Sequence, residues 1–73
     1  MARLPVISGR DTVKALQRAG WRLDRQVGSH IIMLRMGSIV SLSVPQHREL
    51  APGTLRALIR SAGMTVEEFI ALL

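Results

Sequence analysis

The alternation of apolar and polar side chains over residues 21–27 predicts the first β-strand of this chain. Trp21, Leu23 and Val27 share one parity, and the residues of the other parity, Arg22, Asp24 and Gln26, are all polar. A period of two is typical of a strand with one buried and one solvated face. We therefore expect these three apolar side chains to pack against the core.

Two more strands are predicted after short turns. A turn at 28–30 leads to a second strand over 31–35, and a tight turn at 36–38 leads to a third over 39–44. The inward positions of the third strand are expected to be Val40, Leu42 and Val44. The middle strand is apolar at both parities, so one of its faces is expected to be covered by a partner or exposed for one.

The first helix is predicted from its two ends. Ser8 stands three residues before Asp11, which is typical of an N-cap, and Gly20 lies where a left-handed C-cap would end the helix. Cationic residues recur at every fourth position and form a basic stripe on its exposed side: Arg10, Lys14 and Arg18. The stripe is either a solvated face or a contact for a phosphate backbone, and the pattern leaves both open.

Two further helices are predicted in the C-terminal third. Pro52 suits the first position of a helix, which Gly63 closes. Thr65 and Glu68 form a capping box that begins a short terminal helix. The inward residues of the terminal helix are expected to be Val66, Phe69, Ile70 and Leu73.

The order of these elements predicts the fold class. It reads α-β-β-β-α with a short C-terminal helix, and the strands are close enough in sequence to pair as a three-stranded antiparallel sheet. Helices that cover one face of the sheet would give a small two-layer α+β fold. Residues 1–73 are expected to form a single domain, because the chain is too short for two.

Composition indicates the class of partner. Ten Lys and Arg against five acids give a formal charge of +5, and nine of the ten cations are Arg, whose planar guanidinium suits phosphate. RNA or another nucleic acid is therefore the first expectation, and a merely basic surface is the alternative. The absence of Cys excludes disulfides and thiolate metal sites. No signal peptide or membrane span is recognised, so a cytoplasmic protein is expected.

Acid–base chemistry at an imidazole is the reaction that the residues favour. Two His and five scattered acids give no recognised metal-ligand spacing, and Ser29 and His30 are neighbours that a strand would turn to opposite faces. RNA needs little more than a proton-transferring group and cations, because its 2′-hydroxyl is an internal nucleophile. His30 is the first candidate, and His47 and Ser29 are secondary candidates for proton transfer or phosphate contact. An ordinary surface histidine is the alternative reading of His30.

Several phrases of the chain together resemble the HicA family of bacterial toxins. They are Leu4-Pro5, Ser8-Gly9, Ala19-Gly20-Trp21, Gly28-Ser29-His30, Val44-Pro45-Gln46-His47, Glu49-Leu50, Pro52-Gly53-Thr54-Leu55-Arg56, Ala62-Gly63-Met64-Thr65 and Phe69. The resemblance implies a fold like that of double-stranded-RNA-binding domains (dsRBD-like). It also implies cleavage of messenger RNA without a metal or other cofactor, His30 as the catalytic residue, and a HicB-type antitoxin that blocks the site.

The chain departs from these toxins directly after His30. Many of them carry a second His at that point, where this chain has Ile31. We expect Ile31 to belong to the apolar surface that the antitoxin covers.

Three hypotheses follow for function. The first is a toxin that is a metal-independent endoribonuclease, in which His30 acts as general base or acid and arginines of the sheet hold phosphate. Those arginines are Arg22, Arg25 and Arg35. The second is a non-catalytic basic RNA-binding module of dsRBD-like shape, which would place the Arg10, Lys14 and Arg18 stripe against phosphates. The third is an adaptor that only binds another protein through its apolar strand.

Overall fold

Six elements follow one another along residues 2–73, the part of the chain that the computed structural model describes. In chain order they are α1 (Gly9–Arg18), β1 (Arg22–Val27), β2 (His30–Leu34), β3 (Leu42–Pro45), α2 (Pro52–Ser61) and α3 (Val66–Ile70). Within these residues the strands form one antiparallel sheet in the order β1-β2-β3. The predicted α+β class and the predicted order of elements are confirmed.

The ends of α1 form as the sequence predicts. The backbone N–H of Asp11 donates to Oγ of Ser8 at 3.0 Å, which satisfies one of the free N–H groups of the first turn. Gly20, just beyond the helix, has a φ of 94°. That left-handed conformation strains any residue with a Cβ, and it turns the chain from α1 into β1.

The core lies between the helices and one face of the sheet. From the sheet, Ile31 and Met33 of β2 and Leu42 and Val44 of β3 are buried. The helices contribute Val13, Ala15, Leu16, Leu55, Leu58, Ile59 and Phe69 to the same cluster. Alternate residues of β2 and β3 thus anchor the sheet, and the residues between them are left for the opposite face.

β1 differs from the prediction, because none of its six residues is buried. Trp21, which precedes the strand, is buried as expected, but Leu23 is 48% and Val27 is 54% exposed. The expectation that both pack against the core was wrong. The strand lies at the edge of the sheet, and its register shifts between Leu23 and Arg25. This β-bulge reverses the alternation, so Leu23 and Val27 point to opposite faces.

The third strand is shorter than predicted. A turn does form after β2, where the N–H of Ser38 donates to the carbonyl of Arg35 at 3.0 Å. Pairing resumes only at Leu42, so the connection is a loop rather than a tight hairpin. Ile39 is fully exposed and Val40 is 46% exposed. The expected inward position of Val40 was wrong, because β2 ends at Leu34 and offers residue 40 no strand partner.

The C-terminal helices confirm both predicted starting points. Pro52 is the first residue of α2. At α3 the N–H of Glu68 donates to Oγ1 of Thr65 at 3.1 Å, and the Glu68 carboxylate accepts from the Thr65 N–H at 2.8 Å. The expected inward position of Leu73 was wrong, since it is 55% exposed. α3 ends at Ile70, so helical spacing does not extend that far.

The helices also bear on membrane association. Each helix of residues 2–73 falls short of the length and apolar character that crossing a membrane requires.

Candidate active site on the open face of the sheet

The face of the sheet turned away from the core is the candidate site. Residues directly opposite each other in an antiparallel pair share a face, so the strand registers assign every side chain. We call this side the open face, and its residues are Arg22, Arg25, Val27, His30, Ile32, Leu34 and Ser43. Each of them is exposed or half-buried, whereas Pro45, which shares this face opposite His30, is buried.

His30 stands at the centre of one end of this face. It is the first residue of β2 and lies opposite Val27 of β1 and Pro45 of β3. β2 begins one residue earlier than predicted, because Gly28 and Ser29 alone form the turn, with Gly28 at a φ of 59°. The sequence left the face of His30 open, and the structure places its exposed side chain on the open face.

The imidazole of His30 has one partner among residues 2–73. Its Nδ1 lies 3.1 Å from Oγ of Ser43, which is on the same face in the neighbouring strand. No hydrogen bond from the described residues reaches Nε2, so this nitrogen is available to solvent or to a ligand. A group that faces solvent through one nitrogen while the other is held is suited to proton transfer.

Ser29 and His47 lie at the same end of the sheet as His30. The carbonyl of Ser29 accepts the N–H of Gln46 at 2.7 Å, which continues the β2–β3 pairing one step beyond His30. The carbonyl of His47 accepts the N–H of Gly9 at 2.9 Å. Both side chains are exposed, and neither makes a hydrogen bond to His30 within the described chain. These contacts hold Ser29 beside β3 and His47 against the start of α1.

Two of the three sheet arginines share the open face with His30. Arg22 lies opposite Leu34, and Arg25 lies opposite Ile32. The guanidinium of Arg25 pairs with the carboxylate of Asp24 at 2.5 Å, where the bulge sets the two residues side by side. The pair is solvent-exposed, so the attraction is weak and Arg25 remains free to exchange its partner for a phosphate.

Arg35 lies elsewhere. Its guanidinium carbon is 4.9 Å from the centre of the Trp21 ring, a cation–π contact on the core side of the sheet. Trp21 is only 2% exposed, so Arg35 covers a ring that belongs to the core. The structure does not bring Arg35 onto the open face, and its contact with RNA stays a prediction.

The basic stripe of α1 is also separate from His30. All three of its side chains are exposed, on the helix layer and not on the open face. Arg18 donates to the carbonyl of Leu72 at 2.7 Å, which ties the C-terminal segment to α1. Lys14 and Arg18 line a groove of about 380 Å³ together with Val6, Ile7, Asp11 and Leu73. The structure thus provides two cationic regions rather than one continuous patch.

Apolar side chains share the open face with His30. Val27 is 54% exposed, Leu34 is 36% exposed, and Ile32 is half-buried. The loop after β2, at the opposite end of that strand from His30, carries the exposed side chains of Met36, Ile39 and Val40. The open face therefore combines apolar contacts, a histidine and arginines on a surface that the chain itself does not cover.

Ile31 does not belong to this apolar surface. It is 7% exposed and packs in the core, because its parity is that of Met33 and not that of His30. The expectation that an antitoxin covers Ile31 was wrong. The position directly after His30 therefore serves the core of this chain.

Metal-ligating side chains are scattered. Among residues 2–73 no group of three or more His, Asp or Glu is placed to hold a metal ion.

Ser43 is the residue of this site that sequence reasoning missed. The alternation of the third strand predicts that Ser43 faces outward, but nothing in that strand alone relates Ser43 to His30. The contact depends on the β2–β3 register, which places Ser43 opposite Ile32 and so diagonal to His30.

Fold and site together define a small basic α+β protein that presents one histidine on an uncovered sheet. Comparison with protein-family models gives a match over residues 9–64 to the family described as the HicA toxin of bacterial toxin–antitoxin systems. The match covers well over half of the chain, so the chain belongs to the HicA toxin family. The predicted resemblance is confirmed, and with it a toxin role and an antitoxin partner. Comparison with curated proteins gives no match.

Proposed function

We propose that the chain is an endoribonuclease that cleaves messenger RNA, with His30 as the catalytic residue, and that a HicB-type antitoxin blocks this site. The proposal is supported by the exposure and the hydrogen bonding of His30. Its imidazole is exposed on the open face, its Nδ1 is 3.1 Å from Ser43, and its Nε2 is free among the described residues.

The proposed reaction uses the nucleophile that RNA already contains. The 2′-oxygen attacks the adjacent phosphorus, an O2′–P bond forms and the P–O5′ bond breaks. The products are a 2′,3′-cyclic phosphate and a 5′-hydroxyl. Neutral His30 accepts the 2′-hydroxyl proton at Nε2, or protonated His30 donates a proton to the leaving 5′-oxygen. One imidazole performs one of these transfers in a step, so His47 or water supplies the other.

Arginine supplies the electrostatic part of the proposed mechanism. Charge builds up on the phosphate oxygens in the transition state, and guanidinium groups stabilise it through paired N–H donors. Arg25 is the nearer candidate by register, since its cross-strand partner Ile32 is two residues from His30. Arg22 lies further along the same face. Both arginines lie on an exposed strand, where they can exchange one partner for another. This suits a flexible single-stranded substrate.

The proposed antitoxin covers the open face. An exposed apolar patch with basic residues around it is suited to a partner with an apolar centre and an acidic rim. The net charge of +5 favours an acidic protein over a second copy of this basic chain. A partner held there would shield His30 from RNA by occupying the same surface.

A non-catalytic RNA-binding module is the second candidate. The α1 stripe favours it, because those cations lie apart from His30 and could hold duplex phosphates without any chemistry. Both candidates bind RNA, and only the first one cuts it.

Substrate chemistry separates the two candidates. The purified chain is incubated, with EDTA present, with a labelled single-stranded RNA and with two matched strands of the same sequence, DNA and fully 2′-O-methylated RNA. The proposed mechanism predicts cleavage of the RNA alone, with 2′,3′-cyclic phosphate ends. Cleavage of the methylated strand would contradict the role of the 2′-hydroxyl. Binding of RNA without cleavage would favour the module.

A further inference from the structure

We propose that Ser43 is a positioning residue for His30, a role that rests on the proposed function of His30. Oγ of Ser43 accepts a hydrogen bond from protonated Nδ1 and so fixes Nε2 as the nitrogen that exchanges protons with RNA. The 3.1 Å contact joins two exposed side chains thirteen residues apart. Exposed polar side chains have water as an alternative partner, so a direct contact between them needs a structural reason.

The sheet supplies that reason. Ser43 and His30 lie on adjacent strands whose pairing holds from Met33–Leu42 to His30–Pro45. The pairing extends one residue further through the Gln46 N–H bond to Ser29 at 2.7 Å. The two side chains are therefore held on paired backbone, and the contact does not depend on a loop. Sites on strands hold side-chain geometry more closely than sites on loops do.

The protonation states of a histidine that works through Nε2 explain why a hydroxyl is suited to this position. As a base, His30 needs a lone pair on Nε2, which places the ring proton on Nδ1. As an acid, it carries protons on both nitrogens and returns to the same Nδ1–H form after donating. Nδ1 is thus a donor before and after the transfer, and Oγ of Ser43 is an acceptor throughout.

The neutral character of the hydroxyl also matters. A carboxylate at this position would hold the imidazolium by charge and oppose its return to the neutral form. A serine hydroxyl orients the ring and selects its tautomer without adding a charge. His30 is then free to act in either direction at Nε2.

The test uses a pair of variants with the same shape, Ser43→Thr and Ser43→Val. Threonine keeps the hydroxyl and valine replaces it with a methyl group, and both are β-branched residues that suit a strand. Circular dichroism checks that both chains fold. Loss of one orienting hydrogen bond predicts that Ser43→Val lowers kcat about three- to tenfold with KM unchanged, while Ser43→Thr stays within about twofold of the parent.

A second readout does not need activity. In chains labelled with ¹⁵N-histidine, the imidazole nitrogen shifts at a pH where His30 is neutral report the populations of its two tautomers. We expect the Nδ1–H tautomer to be more populated in the parent and in Ser43→Thr than in Ser43→Val. Equal populations in all three chains would overturn the proposal whether or not the parent cleaves RNA.

The two readouts distinguish failure of the proposed function from failure of the positioning role. If no chain cleaves RNA but the tautomer populations differ as expected, the proposed function fails and the orienting contact stands. If Ser43→Val keeps the full kcat of a parent that cleaves, the positioning role is overturned while the proposed function stands.

Discussion

Gly9 lies so close to Pro45 that a Cβ on Gly9 would be 1.9 Å from the Pro45 carbonyl oxygen. The N–H of Gly9 also donates to the carbonyl of His47 at 2.9 Å. The first turn of α1 therefore packs directly against the end of β3. The residue that it contacts there, Pro45, is the one that pairs with His30. Glycine suits this position because a Cβ would collide with backbone atoms of Pro45 and Gln46 unless one of the two segments shifted.

Gly9→Ala is expected to destabilise the fold. The added methyl group forces α1 away from residues 45–47, and overpacking of this kind costs about 1–3 kcal/mol. In a domain of this size each kcal/mol lowers Tm by about 4–8 °C. The measurement is thermal unfolding followed by circular dichroism.

Gly53→Ala is the matched control for that change. Gly53 lies inside α2, has no positive φ, and has open space where a Cβ would stand. Alanine favours a helix more than glycine does, so Tm is expected to stay level or to rise. Equal loss of stability in both variants would contradict the account of α1 docking.

Arg22 and Arg25 are expected to hold RNA phosphate. Arg22→Ala and Arg25→Ala should each weaken RNA binding and flatten the dependence of log K on log salt by about 0.7, the release expected for one contact with a single strand. Arg60→Ala is the control, since Arg60 is exposed on α2. An unchanged slope in both sheet variants would show that RNA binds elsewhere, with the α1 stripe as the next surface to examine.

Arg35 is expected to act mainly on stability. Arg35→Ala removes the cation–π contact with Trp21 and uncovers part of the ring, a change of about 0.5–2 kcal/mol in the free energy of unfolding. Arg56→Ala, at an exposed position of α2, should change that free energy far less. Urea unfolding of the two variants makes the comparison. If they unfold alike, the contact with Trp21 contributes nothing measurable.

The antitoxin is expected to bind across the open face. Val27→Asp places a negative charge opposite His30 at a site that is already 54% exposed, so the fold should tolerate it. A buried charge facing an acidic partner should lower affinity for the HicB-type protein roughly tenfold or more. Val6→Asp, at an 80% exposed position beside the α1 groove, is the control. The Kd for the antitoxin is measured by isothermal titration calorimetry. If both variants bind with the Kd of the parent, the antitoxin binds another surface.

Local signals in the sequence predicted the helices well. A cap depends on residues three apart, so Ser8 with Asp11 and Thr65 with Glu68 were sufficient to place two helix starts. The positive φ of Gly20 likewise followed from its place at the end of α1. Such features need no knowledge of the rest of the fold.

Long-range features explain what the sequence could not predict. The bulge between Leu23 and Arg25 is a property of strand pairing, and it moved Val27 to the open face. The middle strand is apolar on both sides, so alternation alone could not tell that Ile31 faces the core. Ser43 entered the site only through the register of β2 and β3. The sequence named His30, Arg22 and Arg25 as candidates, whereas Ser43 and Val27 join them on the open face only through the pairing of the strands.

Cleavage of a labelled single-stranded RNA by the parent chain and by His30→Ala, with EDTA present, tests the proposed function most directly. RNA affinity and circular dichroism are measured on the same samples, and His47→Ala is carried alongside. The account predicts that His30→Ala folds and binds RNA like the parent but loses cleavage by at least about a hundredfold, with a smaller loss for His47→Ala. Equal cleavage by the parent and by folded His30→Ala would contradict the account.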